Sequence, residues 1–166
     1  MTFASLASSS KGNAYVVSDG DTTLLLECGL TFKELQKRLG YHMAGITACL
    51  VSHEHQDHAK AALQMLKHGM PMYMSYGTAA SHNDPMDGAH IIKAGDTLRF
   101  GALTVVPFRT FHNTEEPLGF LIEDKRTKER LLFAVDTSNL NIIADQLTYI
   151  AVECNYEEGL LERSDR

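Results

Sequence analysis

Eight consecutive residues, Val51-Ser52-His53-Glu54-His55-Gln56-Asp57-His58, constrain this chain more than any other stretch. Three imidazoles and a carboxylate fall within six positions, spaced H-x-H-x-D-H. In extended backbone alternate side chains share a face, so His53 and His55 can converge on one point. A helix beginning near Asp57 would turn Asp57 and His58 toward a second point close to the first. Imidazole nitrogen and carboxylate oxygen are the usual donors to zinc, iron or manganese. The plainer alternative is a solvated polar turn. Three histidines at this spacing, directly after the apolar run 46–51, are hard to explain that way. The helical zinc motif H-E-x-x-H does not apply, because read from His53 it needs histidine where Asp57 stands.

A chain of 166 residues is expected to form a single domain over 1–166. That length can bury about 70% of its unfolded surface. The formal charge of −6 gives the bulk surface no general attraction for nucleic acid. Two bound divalent cations would nevertheless leave the site itself electropositive. Cys28, Cys49 and Cys154 form no C-x-x-C pair and sit in apolar contexts, which predicts buried free thiols. The N-terminal residues lack a basic, apolar leader, and no run reaches the roughly 18 apolar residues of a membrane span. A cytoplasmic location without membrane contact is the expectation.

Along the chain, residues 3–10, 14–18, 22–26 and 70–74 read as strands. So do 97–100, 103–108, 119–123, 130–135 and 147–152. Residues 31–39 have a helical period stopped by Gly40. Residues 59–68 should continue one helix from the histidine motif to Gly69, and a short helix is expected within 75–90. A short charged helix is expected over 157–166. Met70, Met72 and Met74 read as core fillers rather than thioether ligands, since no other soft donors lie nearby. Ser8-Ser9-Ser10-Lys11-Gly12-Asn13 reads as a plain turn joining two strands, in preference to a functional loop at a site rim. His42, His68, His82 and His90 have no recognisable ligand context, and surface roles are expected. Asp136, at the end of the apolar strand 130–135, can be read either as a bridging carboxylate ligand or as a helix cap.

The H-x-H-x-D-H motif after a buried strand resembles the signature of the metallo-β-lactamase fold superfamily of two-metal hydrolases. The flanking sequence resembles its small bacterial YycJ/WalJ-like branch. Ser9-Ser10-Lys11-Gly12-Asn13 is similar to that branch's S-S-x-G-N loop, and 111–120 to its H-D-A-x-E-P-x-G-F segment, with Asn113 in place of Asp. Glu153-Cys154-Asn155-Tyr156 is similar to its E-x-N-H, with Tyr156 where histidine is frequent. The resemblance implies an α+β fold, the four-layer αββα sandwich, with metals at one edge between two sheets. It implies that His53, His55 and His112 hold a first cation, while Asp57, His58 and a bridging Asp136 hold a second. Glu27 stands where the family has Asp-x-Gly and would orient a ligand imidazole. Asp57 would face the attacking water and handle its proton. The superfamily supplies a further histidine beyond this region, with no counterpart here. The expectation is therefore that the domain is cut short at its C-terminus.

The implied chemistry is hydrolysis by a hydroxide held between two divalent ions, zinc first, manganese or iron otherwise. Two-metal geometry and the branch resemblance favour a phosphodiesterase or nuclease with nucleic acid or a nucleotide-like phosphodiester as substrate. A hydrolase of lactone, thioester or β-lactam bonds is the alternative. A degenerate module holding one metal is a third reading, of a different class. A strand-binding nuclease needs a basic or aromatic track, and Lys33, Lys37, Arg38 and Lys93 are only scattered candidates.

Overall fold

The computed structural model describes residues 1–82 and 84–153. A six-stranded sheet is formed by β1 (Thr2–Ala7), β2 (Ala14–Ser18), β3 (Thr23–Leu26), β4 (Ala48–Leu50), β5 (Met72–Met74) and β6 (His90–Ile91), in that spatial order. β1 to β3 pair antiparallel, whereas β3 to β6 are parallel. The second sheet has the order β11 (Tyr149–Val152), β10 (Arg130–Ala134), β9 (Leu118–Asp124), β8 (Leu103–Arg109), β7 (Leu98–Phe100). Only its β10–β11 pair is parallel.

Strand periodicity assigns the two faces. Leu24, Leu26, Ala48 and Leu50 point at the second sheet and pack with Val105, Phe120, Ile122, Leu131 and Phe133. The intervening Leu25, Cys49 and Val51 point the other way, with Leu35, Met65, Met72 and Met74. That second core lies beneath α1 (Phe32–Arg38) and α3 (Ala62–Lys67). The methionines at 72 and 74 are thus core fillers, and Cys28 and Cys49 are buried free thiols. Cys154 and residues 157–166 lie outside the described residues. Among the described residues no helix covers the outer face of the second sheet, so three of the four expected layers lie within them.

Residues 59–68 do not continue one helix from the motif. They divide into α2 (Gln56–Ala59) and α3, broken at Lys60 and Ala61. The cause is backbone competition. The carbonyl of Asp57 accepts from the Asn13 N–H at 2.8 Å, and the Ala61 N–H donates to Cys28 O at 2.9 Å. The i→i−4 bond that would carry the helix through this point is therefore diverted into the 28–29 loop. Gly29 fits there because it has no side chain: a Cβ would lie 1.6 Å from Asp57 O.

Candidate metal centre

Several strands end at one edge of the sandwich, and their C-terminal extensions carry the reactive groups. β3 leads to Glu27, β4 to His53, β8 to His112 and β10 to Asp136. Glu27 (φ 64°) and Asp136 (φ 50°) both take left-handed backbone, unusual for non-glycine residues and concentrated at functional sites. The two sheets are tied here by Leu118 N–H donating to Ser52 O at 2.9 Å.

One nitrogen each from His53, His55 and His112 and a carboxylate oxygen of Asp136 lie within 4.8 Å of one another, as do one ligand atom each from Asp57, His58 and Asp136. The two clusters share Asp136. Its Oδ2 is 3.0 Å from His58 Nε2, 3.6 Å from His53 Nε2 and 3.8 Å from His112 Nε2. His58 Nε2 is in turn 3.4 Å from Asp57 Oδ2. The donors fit a pair of cations on three grounds. His53 Nε2 is buried and has no hydrogen-bond partner, an arrangement costly in a finished core. His112 Nε2 faces His55 Nδ1 at 3.1 Å, so that a cation could take both nitrogens in place of one N–H donating to the other. The set of imidazoles and carboxylates also suits zinc, iron or manganese.

The rings are held from behind. His53 Nδ1 meets Ser52 Oγ at 2.8 Å, which leaves Nε2 for the cluster. His58 Nδ1 lies 3.5 Å from Glu27 Oε2, and Glu27 Oε1 accepts from the Ser52 N–H at 3.2 Å. Glu27 thus stands, fully buried, behind an imidazole. Burial and the neighbouring His58 push the His53 pKa down to about 3. Burial also opposes charge on His58, but Asp136 and Glu27 more than offset it and raise its pKa to about 10. The His58 hydrogen bond leads the influences that hold Asp136 well below the usual carboxylate range. Burial lowers His112.

Two expectations need correction. The 8–13 turn is not a plain connector. Asn13 is buried, and its Nδ2 approaches Asp57 Oδ2 at 3.4 Å and His58 Nε2 at 3.2 Å, while Tyr15 donates to Asn13 Oδ1 at 3.2 Å. His82 is half-buried rather than a surface residue, its Nε2 is without a hydrogen-bond partner, and it lies in the field of Glu54. His42, His68 and His90 are exposed. Sequence reasoning also missed Ser52, which no periodicity marks, and Glu153, which bonds to Asp136. Its place within the E-x-N-H resemblance was the available signal. Two clefts meet at Asp136. One, of about 590 Å³, is lined by Phe111, His112, Asn113, Thr137 and Ser138. The other, of about 650 Å³, is lined by Ser8–Ser10, Asn13, Tyr15 and Asp57.

Residues 22–149 match the family model of the beta-lactamase superfamily domain. The chain is 31% identical over 139 residues to the exodeoxyribonuclease YycJ of Bacillus anthracis, covering 78% of this chain and 53% of that protein. It is 29% identical over 136 residues to the exodeoxyribonuclease WalJ of Streptococcus pneumoniae, covering 74% and 51%. The chain therefore spans about half the length of these curated relatives. In fold it is similar to a mutant of the HARLDQ-motif metallo-beta-lactamase of Cronobacter sakazakii (TM-score 0.68, 15% identity, covering 93% of this chain and 76% of that one). It is likewise similar to the metallo-beta-lactamase fold protein YhfI of Bacillus subtilis (TM-score 0.57, 23% identity, covering 76% and 55%). With two sheets face to face, helices on the first, and the histidine motif at their common edge, the chain belongs to the beta-lactamase superfamily, with the metallo-β-lactamase fold and a YycJ/WalJ-like sequence.

Proposed function

We propose that the protein is a metal-dependent hydrolase acting on phosphodiesters, with single-stranded or frayed DNA as the favoured substrate class. The observation carrying this reading is the shared carboxylate: Asp136 stands between one cluster of three imidazoles and another formed by Asp57 and His58. His53, His55 and His112 would hold one divalent ion, Asp57 and His58 a second, with zinc the favoured element and manganese or iron alternatives. Two such ions would supply an acidified water and charge neutralisation for an in-line displacement at phosphorus. The residues of the chain do the rest. Asp57, steadied by Asn13 Nδ2 at 3.4 Å, takes the proton of the attacking water. Glu27 fixes the His58 ring from the far side, and Ser52 fixes His53.

Phosphodiester chemistry is favoured over lactone, thioester or β-lactam hydrolysis because the relatives of similar sequence are exodeoxyribonucleases, and because two cations suit a reaction with two charged oxygens. The test is a panel of single-stranded DNA, bis-p-nitrophenyl phosphate and simple lactones, with zinc or manganese supplied. DNA and phosphodiester cleavage supports the reading, and hydrolysis of lactones alone contradicts it. His58→Ala should cut turnover by more than about 100-fold, beyond the 10–100-fold typical of losing an outer partner.

A further inference from the structure

Phe111 stands immediately before His112 and lines the cleft that ends at Asp136. Its residue surface is 42% exposed. Single exposed apolar residues are ordinary on protein surfaces, so exposure alone means little. What distinguishes Phe111 is how firmly its backbone is held. Its N–H donates to Thr137 Oγ1 at 3.0 Å, and its carbonyl accepts from Ser138 N at 2.9 Å and Ser138 Oγ at 3.1 Å. Thr137 and Ser138 directly follow Asp136 in sequence. The Phe111 backbone is therefore anchored to the same short segment as the shared carboxylate, which keeps the base of its side chain beside that segment.

Electrostatics gives this position a task. With a formal charge of −6, long-range attraction for a polyanion is weak. A single strand must then be gripped close to the reacting centre. Aromatic side chains do this because every base has a π-face, independent of sequence. A cleft of about 590 Å³ lies within the size range of small-molecule sites. Asn113, Thr137 and Ser138 add polar groups on its walls.

We propose that Phe111 is a stacking platform for a nucleobase of a single-stranded substrate, seated so that the neighbouring phosphate reaches the cations that Asp136 and the clustered histidines would hold. This rests on the phosphodiesterase reading above and names the specificity element of that same site. The chain contains no tryptophan, so Phe111→Trp places a lone indole reporter at the proposed contact. In the full chain supplied with zinc, rapid mixing with oligothymidylate should quench the indole fluorescence before turnover begins. Phe111→Ala should weaken oligothymidylate affinity roughly 5- to 100-fold, and Phe111→Tyr should restore it. Zinc content of each variant, measured alongside, reports whether the site is still assembled.

Equal quenching by an abasic oligonucleotide would overturn the proposal, since stacking requires a base. Quenching by an acyl lactone and not by oligothymidylate would overturn it in favour of an apolar chain. Unchanged affinity in Phe111→Ala, with wild-type cleavage of DNA intact, would remove Phe111 while leaving the nuclease reading standing. Base-dependent quenching without any DNA cleavage would support the platform and count against the nuclease reading.

Discussion

At the scale of single residues, the site is a balance of charge arranged around Asp136. The four histidine and carboxylate positions of the H-x-H-x-D-H run were legible because their spacing has no ordinary structural use. Ser52 was not, because a serine next to a histidine carries no pattern. Only the folded backbone turns its hydroxyl onto His53 Nδ1 at 2.8 Å. Ser52→Ala should lower metal affinity about 10- to 100-fold, the usual effect of losing an outer hydrogen-bond partner. A competition titration with a chromophoric chelator measures this, and unchanged affinity would show that Ser52 does not orient the ring. The paired imidazoles also set a pH signature in the metal-free protein. His58, raised from 6.5 to about 10, contributes stability that is complete below 6.5 and lost as pH rises through about 10. His53, lowered from 6.5 to about 3, acts oppositely: the unfolded chain takes up a proton that the folded one refuses as pH falls below 6.5. Together they should place the urea midpoint of the metal-free protein at a maximum near pH 6.5. Because His58 must give up its proton to become a ligand, metal loading well below pH 10 should release close to one proton from this residue, the release falling away as the pH rises through about 10. Calorimetry in buffers of different ionisation enthalpy reads that release.

At the scale of elements, alternation of apolar residues located most strands to within a residue or two, as for β2 (Ala14–Ser18) and β8 (Leu103–Arg109). The helix after the motif was the instructive miss. Its apolar residues have a continuous helical period, yet the 28–29 loop and Asn13 capture its backbone groups and split it. Long-range backbone competition of this kind leaves no mark on local periodicity. The same junction makes Gly29 irreplaceable. Gly29→Ala would set a Cβ 1.6 Å from Asp57 O and 2.8 Å from His58 N, both backbone atoms with little room to move. The expected cost is ~3 kcal/mol or more, at the upper end for overpacking, together with loss of metal binding. Urea denaturation and metal content measure both, and a stable, metal-replete variant would contradict this packing. Asp136 shows the converse case: the strand position and the family resemblance both singled it out, and it lies beside the histidines because strand ends at one sheet edge gather side chains.

At the scale of the whole molecule, two sheets supply the candidate ligands jointly: His53, His55, Asp57 and His58 follow the first, His112 and Asp136 the second. Metal binding should therefore tie the sheets together, and thermal unfolding should shift upward with zinc and fall back on chelation. The two clusters are also unequal. Among the described residues the first offers four donor groups and the second three, so loading should proceed in two steps, with the His53/His55/His112 position filled first. A single binding class of one equivalent in titration would favour a one-metal module instead. Among the described residues no helix is long and apolar enough to cross a membrane.

In the proposed centre one carboxylate, Asp136, serves two cations. Anomalous diffraction from zinc-soaked crystals examines this without recourse to activity. Two peaks about 3.5–4 Å apart, one on each side of the Asp136 carboxylate, are the predicted result. A lone peak, or two peaks with Asp136 ligating neither, would contradict it.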